Sequence, residues 1–156
     1  MNFRTAFPED IPELMTLLEA LFSLEADFEF DAPKARDGLC QLLNRPTDSV
    51  VWVAESQGRV VGMCTAQIII STAMGAPAAW IEDVVLLPEF RGQGWMPLLM
   101  GRLEEWCRLR GVGRLQVLCD LENPPALAFY PKQGFRRTQL ICFHKPLTSG
   151  EPVPGE

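Results

Sequence analysis

The stretch Val84-Val85-Leu86-Leu87-Pro88-Glu89-Phe90-Arg91-Gly92-Gln93-Gly94-Trp95-Met96-Pro97 reads as a strand, a glycine-bearing loop and the first turn of a helix. Four apolar residues in a row suit a strand end buried on both faces, and Pro88 stops it. Glycines let the backbone approach a ligand, and the N–H groups at a helix start have no intrahelical partner and point outward together. Such a turn binds phosphate oxygens. Pro97 in the first helical turn loses no hydrogen bond there, and Arg91 adds a fixed positive charge.

Elements of matching type lie on either side. Downstream, Leu98, Leu99, Leu103, Trp106 and Leu109 repeat at helical spacing until Gly111, and Leu115 to Cys119 is an apolar strand. Strand, helix and strand make a βαβ crossover. A short helix is expected after Asn123, and one or two closing strands over Phe135 to Leu147. Upstream, Ala79 to Leu87 is the strand that enters the loop. Val50 to Glu55 and Arg59 to Thr72 flank Ser56-Gln57-Gly58 as an antiparallel hairpin. Asp10 and Glu13 form a D-x-x-E capping signature ahead of Ile11, Leu14, Leu17, Leu18 and Leu21, which predicts a helix over 11–24. A second, shorter helix starts at Pro33 and ends near Asn44, and a short strand around Phe3 to Ala6 opens the chain.

The chain has 156 residues, 47% of them hydrophobic. That is enough for one substantial core, so a single domain over 1–147 is expected. The tail 148–156, polar and rich in Pro and Gly, is expected to be disordered. With 20 acidic against 14 basic residues and a net charge of −6, the sign is wrong for tracking phosphates, which argues against nucleic acid and is compatible with a cationic small molecule. Five scattered cysteines without a C-x-x-C pair indicate neither a disulfide framework nor a zinc site. The apolar runs are too short for a membrane helix, and the N-terminus lacks the pattern of a secretory signal. A soluble, cytoplasmic protein without a membrane partner is the expectation.

A lone Gly-x-Gly turn is common in ordinary loops. Here Arg91, Gly94 and, imperfectly, Met96 match an Arg/Gln-x-x-Gly-x-Gly/Ala pattern. Asn123, Ala126, Phe129, Tyr130, Gly134 and Phe135 then reproduce N-x-x-A-x-x-F-Y-x-x-x-G-F in the proper order. With both motifs the chain resembles the GNAT superfamily of N-acetyltransferases, and Glu82-Asp83 with the acidic loop is most similar to the diamine and polyamine acetyltransferases.

That resemblance implies an α/β (α+β) fold: a central mixed, mostly antiparallel sheet flanked by helices and splayed between its fourth and fifth strands, where strands 79–87 and 115–119 diverge. It implies acetyl-CoA as acyl donor, no metal, a small-molecule amine acceptor and, as in many relatives, a homodimer. Backbone groups of Val84, Val85, Leu86 and Leu87 would meet pantetheine or the oxyanion. Arg91, Gly92, Gln93, Gly94, Trp95, Met96 and Pro97 would hold the pyrophosphate, and Asn123 and Ala126 the other side of the cofactor. Tyr130 falls at the usual general acid and Glu82 at the general base. Glu25, Glu29 and Asp83 are candidates for receiving a cationic acceptor, Glu25 and Glu29 within the run Glu25 to Asp31, which carries four acids and no base. Trp95 and Met96 replace the family's aliphatic and small residues, and they admit a second reading: a non-catalytic CoA-binding sensor or partner-binding module.

Overall fold

The computed structural model describes residues 1–24 and 29–147; the expected tail 148–156 and Glu25 lie outside them. The chain divides into two compact units, Met1–Val117 and Leu118–Glu156.

The first unit holds β1 (Asn2–Thr5), a 3-10 turn (Pro8–Asp10), α1 (Ile11–Phe22), α2 (Ala32–Leu43), β2 (Ser49–Ser56), β3 (Arg59–Ser71), β4 (Ala76–Leu86), a second 3-10 turn (Pro88–Phe90), α3 (Trp95–Arg108) and β5 (Arg114–Val117). The strands form one sheet in the order β1-β2-β3-β4-β5. Every pairing is antiparallel except β4 with β5, which is parallel through the α3 crossover. The mixed, helix-flanked architecture expected from the sequence is the one observed.

Every residue of β3 from Val60 to Ala66 is buried, so both faces of the sheet are covered. Cys64 lies near Cys107 of α3, whereas Gln67 lines a cavity with residues of α1 and α2. Side chains three apart on a strand point to opposite faces. Helices α1 and α2 therefore cover one face and α3 the other. Leu14, Leu17 and Leu39 fill the first layer, and Leu99, Met100 and Leu103 the second.

The β2–β3 turn takes positive φ at both Gln57 (52°) and Gly58 (77°), the twist that a two-residue hairpin requires. Helix α1 starts where the D-x-x-E signature places it, but by other bonds. Asp10 makes no side-chain cap. Its carboxylate accepts from Arg4 Nη1 (2.7 Å), Arg4 Nη2 (2.9 Å) and the Phe7 amide (2.7 Å), while Arg4 Nε donates to Glu55 at 2.7 Å. Glu13 turns away and accepts from the Val60 amide at 2.9 Å. The acid pair thus ties the first helix to β1 and β3.

The Arg4 hydrogen bonds hold the Asp10 carboxyl below its ordinary range, against the opposing effect of burial. A carboxylate held low when folded contributes stability that is full above its unfolded value, near ~3.9, and is lost as pH falls through the folded value. Asp10→Asn is expected to cost about 2 kcal/mol at pH 7. Thermal melts across pH should show the gap from wild type closing below about pH 4.

The second unit contains α4 (Pro124–Lys132). Its Asn123 N-cap accepts from the Ala126 amide at 3.1 Å. The closing strands expected over 135–147 are not observed: these residues carry neither helix nor strand, and Leu140, Ile141, Phe143 and Leu147 are exposed. An alternating apolar pattern supplies strand propensity but not a partner edge, and a strand without a partner is not stable.

Candidate active site

Strand β4 carries the site's central feature. On one side it pairs with β3 along nearly its whole length, from Ser71↔Ala76 to Gly62↔Leu86. On the other side β5 accompanies it only from Ala78↔Arg114 to Ile81↔Val117. From Glu82 to Leu86 the β5 side of β4 has no strand partner in this unit. The splay falls where the sequence resemblance puts it.

The cause is local. Between Thr65↔Glu82 and Met63↔Val85, β3 advances through Cys64 alone while β4 advances through Asp83 and Val84, which is a β-bulge. Asp83 adopts φ +53°, a left-handed conformation rare outside glycine. The buried hydroxyl of Thr65 donates to Asp83 Oδ2 at 3.1 Å and pins the bulged residue. Bulges sharpen twist and re-aim side chains. Here the bulge sets Asp83 and Val84 of β4 against Cys64 alone on β3. The amide of Leu87, just past the strand, donates to Val61 O at 2.9 Å.

The loop beyond β4 is braced from within. Arg91 Nε donates to Leu86 O at 2.8 Å, Gln93 Nε2 to Glu89 O at 2.8 Å, and Trp95 Nε1 to Gln93 Oε1 at 3.3 Å. Arg91 is thus a positioning residue as well as a charge. The bulky Trp95 is clipped to Gln93, and both Trp95 and Met96 are half-buried. Gly92 and Gly94 have φ +72° and +81°, and a Cβ at either would meet open space. Gly94 caps α3 with no side-chain bond. The N–H groups of Gly94, Trp95 and Met96 have no carbonyl four residues back in the helix, and Pro97 has no N–H to leave unpaired. Unpaired N–H groups at a helix start are the kind that receive phosphate oxygens.

On the face of α1 and α2, a cavity of about 290 Å³ is lined by residues including Leu18, Phe22, Gln67, Glu82 and Asp83. The structure therefore brings Glu82 and Asp83 together on one wall. Glu29 is exposed ahead of α2 and does not line the cavity. Its neighbour Asp31 caps α2, accepting from the Lys34 amide at 3.0 Å, so one acid of the acidic run serves the helix. Sequence reasoning missed Thr65, Gln67 and, at the end of α2, Gln41 and Arg45. None belongs to a motif, and only the fold gathers them.

In the second unit, Asn123, Ala126 and Tyr130 share α4. The Asn123 side-chain oxygen is engaged as the cap. Tyr130 is half-buried between Phe129 and Phe135, edge-to-face with each at centroid separations of 5.3 and 5.5 Å. Two rings fix the phenol axis.

Burial raises the thiols of Cys64, Cys107 and Cys119 above their ordinary value, Cys107 to about 11. These three stay protonated at neutral pH and are poor nucleophiles. Among the described residues no group of three His, Cys, Asp or Glu side chains could hold a metal ion, and no helix is long and apolar enough to cross a membrane.

The model of the acetyltransferase (GNAT) family matches residues 11–135. Among solved structures, the chain is similar to a protein from Agrobacterium tumefaciens str. C58 assigned as an acetyltransferase, with 26% identity, 94% of this chain and 100% of that one covered, and a TM-score of 0.79. An aminoglycoside acetyltransferase from an uncultured soil metagenomic sample, solved with sisomicin, shares 22% identity over 94% of this chain and 96% of its own, with a TM-score of 0.76. An acetyltransferase of Clostridium acetobutylicum, solved with acetyl-CoA, shares 18% over 92% and 95%, with a TM-score of 0.76.

Proposed function

The chain belongs to the GNAT family of acetyltransferases and uses acetyl-CoA, and we propose that it acetylates a primary amine by direct attack in a ternary complex. The observation that carries this is the one-sided edge of β4 from Glu82 to Leu86, running into the glycine loop at the start of α3. An extended amide-bearing arm can add along such an edge as a strand would, and the loop then receives the phosphates. With the Leu87 amide engaged to Val61, Val85 facing Met63 on β3 and the Leu86 carbonyl accepting from Arg91, the backbone contacts to pantetheine fall to Val84 and the Leu86 amide. If Asn123 touches the cofactor, it does so through its amide nitrogen, its oxygen being the cap. Residues 1–147 work as one catalytic domain in this reading.

The chemistry asks for a neutral amine, a stabilised oxyanion and a protonated leaving thiolate. Glu82, exposed on the cavity wall, accepts the amine proton through water. The amine lone pair forms a C–N bond at the thioester carbon. Backbone N–H groups at the bulge, near Val84 to Leu86, stabilise the oxyanion. The C–S bond then breaks with its electrons on sulfur, and Tyr130 supplies the proton that yields the free thiol. The raised thiols of Cys64, Cys107 and Cys119 support this direct route over an acyl-cysteine intermediate.

The cavity on the face of α1 and α2 is the acceptor site in this reading. The narrower likeness to polyamine acetyltransferases has less support there, because Arg45 lines the same cavity and repels a second ammonium group. The test is thiol release from acetyl-CoA across monoamines, polyamines, aminoglycosides and amino acids. Turnover with at least one class is expected. A rise in melting temperature with acetyl-CoA and no turnover on any amine would favour the non-catalytic sensor.

A further inference from the structure

The acceptor cavity is not uniformly acidic, and its mixture says what kind of amine it takes. Glu82 and Asp83 stand on one wall. Leu18, Phe22, Leu39 and Leu42 from α1 and α2 make an apolar flank, and Arg45 closes the lining with a positive charge. A site for a polycation would not carry a cation of its own.

The position of Arg45 is held firmly. Its carbonyl accepts from the Asp48 amide (3.0 Å), the Ser49 amide (2.8 Å) and Ser49 Oγ (3.1 Å), and Ser49 is buried. The guanidinium is held loosely: its ion pair with Asp48 spans 3.8 Å, with both side chains more than half exposed. A fixed stem with a weakly engaged, always-charged head suits exchange of that partner for the anion of a ligand.

Spacing follows from the sheet. Glu82 pairs with Thr65, and Gln67, also in the lining, is two residues further along β3, on the order of 7 Å. The Ile68 amide donates to Asp48 O at 2.7 Å, which places the Arg45–Asp48 turn beyond Gln67. The Arg45–Asp48 turn therefore lies on the far side of Gln67 from Glu82.

We infer that the acceptor is a small zwitterionic amphiphile: an amine read by Glu82 and Asp83, an apolar or aromatic middle against α1 and α2, and a carboxylate-like anion read by Arg45. This rests on the assignment of the cavity as the acceptor site. A cavity of about 290 Å³, just below the ~300–1,000 Å³ of ligand pockets, has room for an acceptor of amino-acid size.

The probes are 4-(aminomethyl)benzoate, its methyl ester, and spermidine. Wild type is expected to acetylate the carboxylate with kcat/KM at least tenfold above the ester and above spermidine. Arg45→Ala should bring carboxylate and ester to within threefold of each other, and Arg45→Glu should shift preference toward spermidine. Equal or better rates with the ester or spermidine on wild type, or a gap that survives Arg45→Ala, overturn the inference while leaving amine acetylation standing. If no amine turns over, acetylation itself falls and calorimetry with 4-(aminomethyl)benzoate decides. Binding weakened tenfold or more by Arg45→Ala then supports the zwitterion site, and absence of binding overturns it.

Discussion

Gly94→Asp is expected to raise the KM for acetyl-CoA by about 100-fold, a loss of ~2.7 kcal/mol in binding, with little change in melting temperature. At φ +81° with open space before its Cβ, position 94 tolerates Asp or Asn better than any other side chain, because these two visit the left-handed region with least strain. Asp would set a carboxylate among the N–H groups that receive the pyrophosphate. Like charges in a partly desolvated site are costly to both, and the anion-binding character of the helix start would be turned against its ligand. Gly94→Asn separates the two effects: it adds nearly the same bulk without charge and should cost tenfold or less. Isothermal titration with CoA, beside initial rates, measures both. Equal losses for Asp and Asn would mean that space, not charge, limits the loop, and no loss for either would move the phosphates elsewhere.

The loop was legible in the sequence because its physics is local. Two glycines, a strand before them and a helix after them are contiguous, and the strand–loop–helix reading requires nothing distant. The βαβ crossover and the hairpin at Gln57-Gly58 were legible for the same reason, and helix α1 begins where expected. What was not legible depends on partners far along the chain. Asp10 reads as a cap to its own helix, yet its ligand is Arg4, which is bound in turn to Glu55, 51 residues from it. Nothing around Asp83 announces a left-handed residue. Its conformation is held by a Thr65 hydroxyl from the neighbouring strand, and register is a tertiary property. Arg45 looks like a solvated charge after a helix until the turn to β2 fixes its stem beside the cavity. The 135–147 segment failed in the opposite sense: its residues suit a strand, and strand propensity is not strand pairing.

Tyr130→Phe should lower kcat by about 100-fold, the lower end of what general acid catalysis contributes, while the dissociation constant for acetyl-CoA stays within about threefold. The substitution removes only the hydroxyl. The ring keeps its edge-to-face contacts with Phe129 and Phe135. A Tyr130→Ala comparison should lose both stability and rate, which separates packing from proton donation. Because an acid must hold its proton to give it, the wild-type rate is expected to fall as pH rises through the phenol's ionisation, and that limb should vanish in Tyr130→Phe. The chain offers an independent readout, since Tyr130 is its one tyrosine. The ultraviolet difference band of phenolate therefore reports this side chain alone, and its midpoint should coincide with the alkaline limb of the rate profile measured under the same conditions. An unchanged kcat in Tyr130→Phe, or a midpoint displaced from the kinetic limb by more than one pH unit, would remove Tyr130 from proton transfer and leave the departing thiolate to be protonated by solvent.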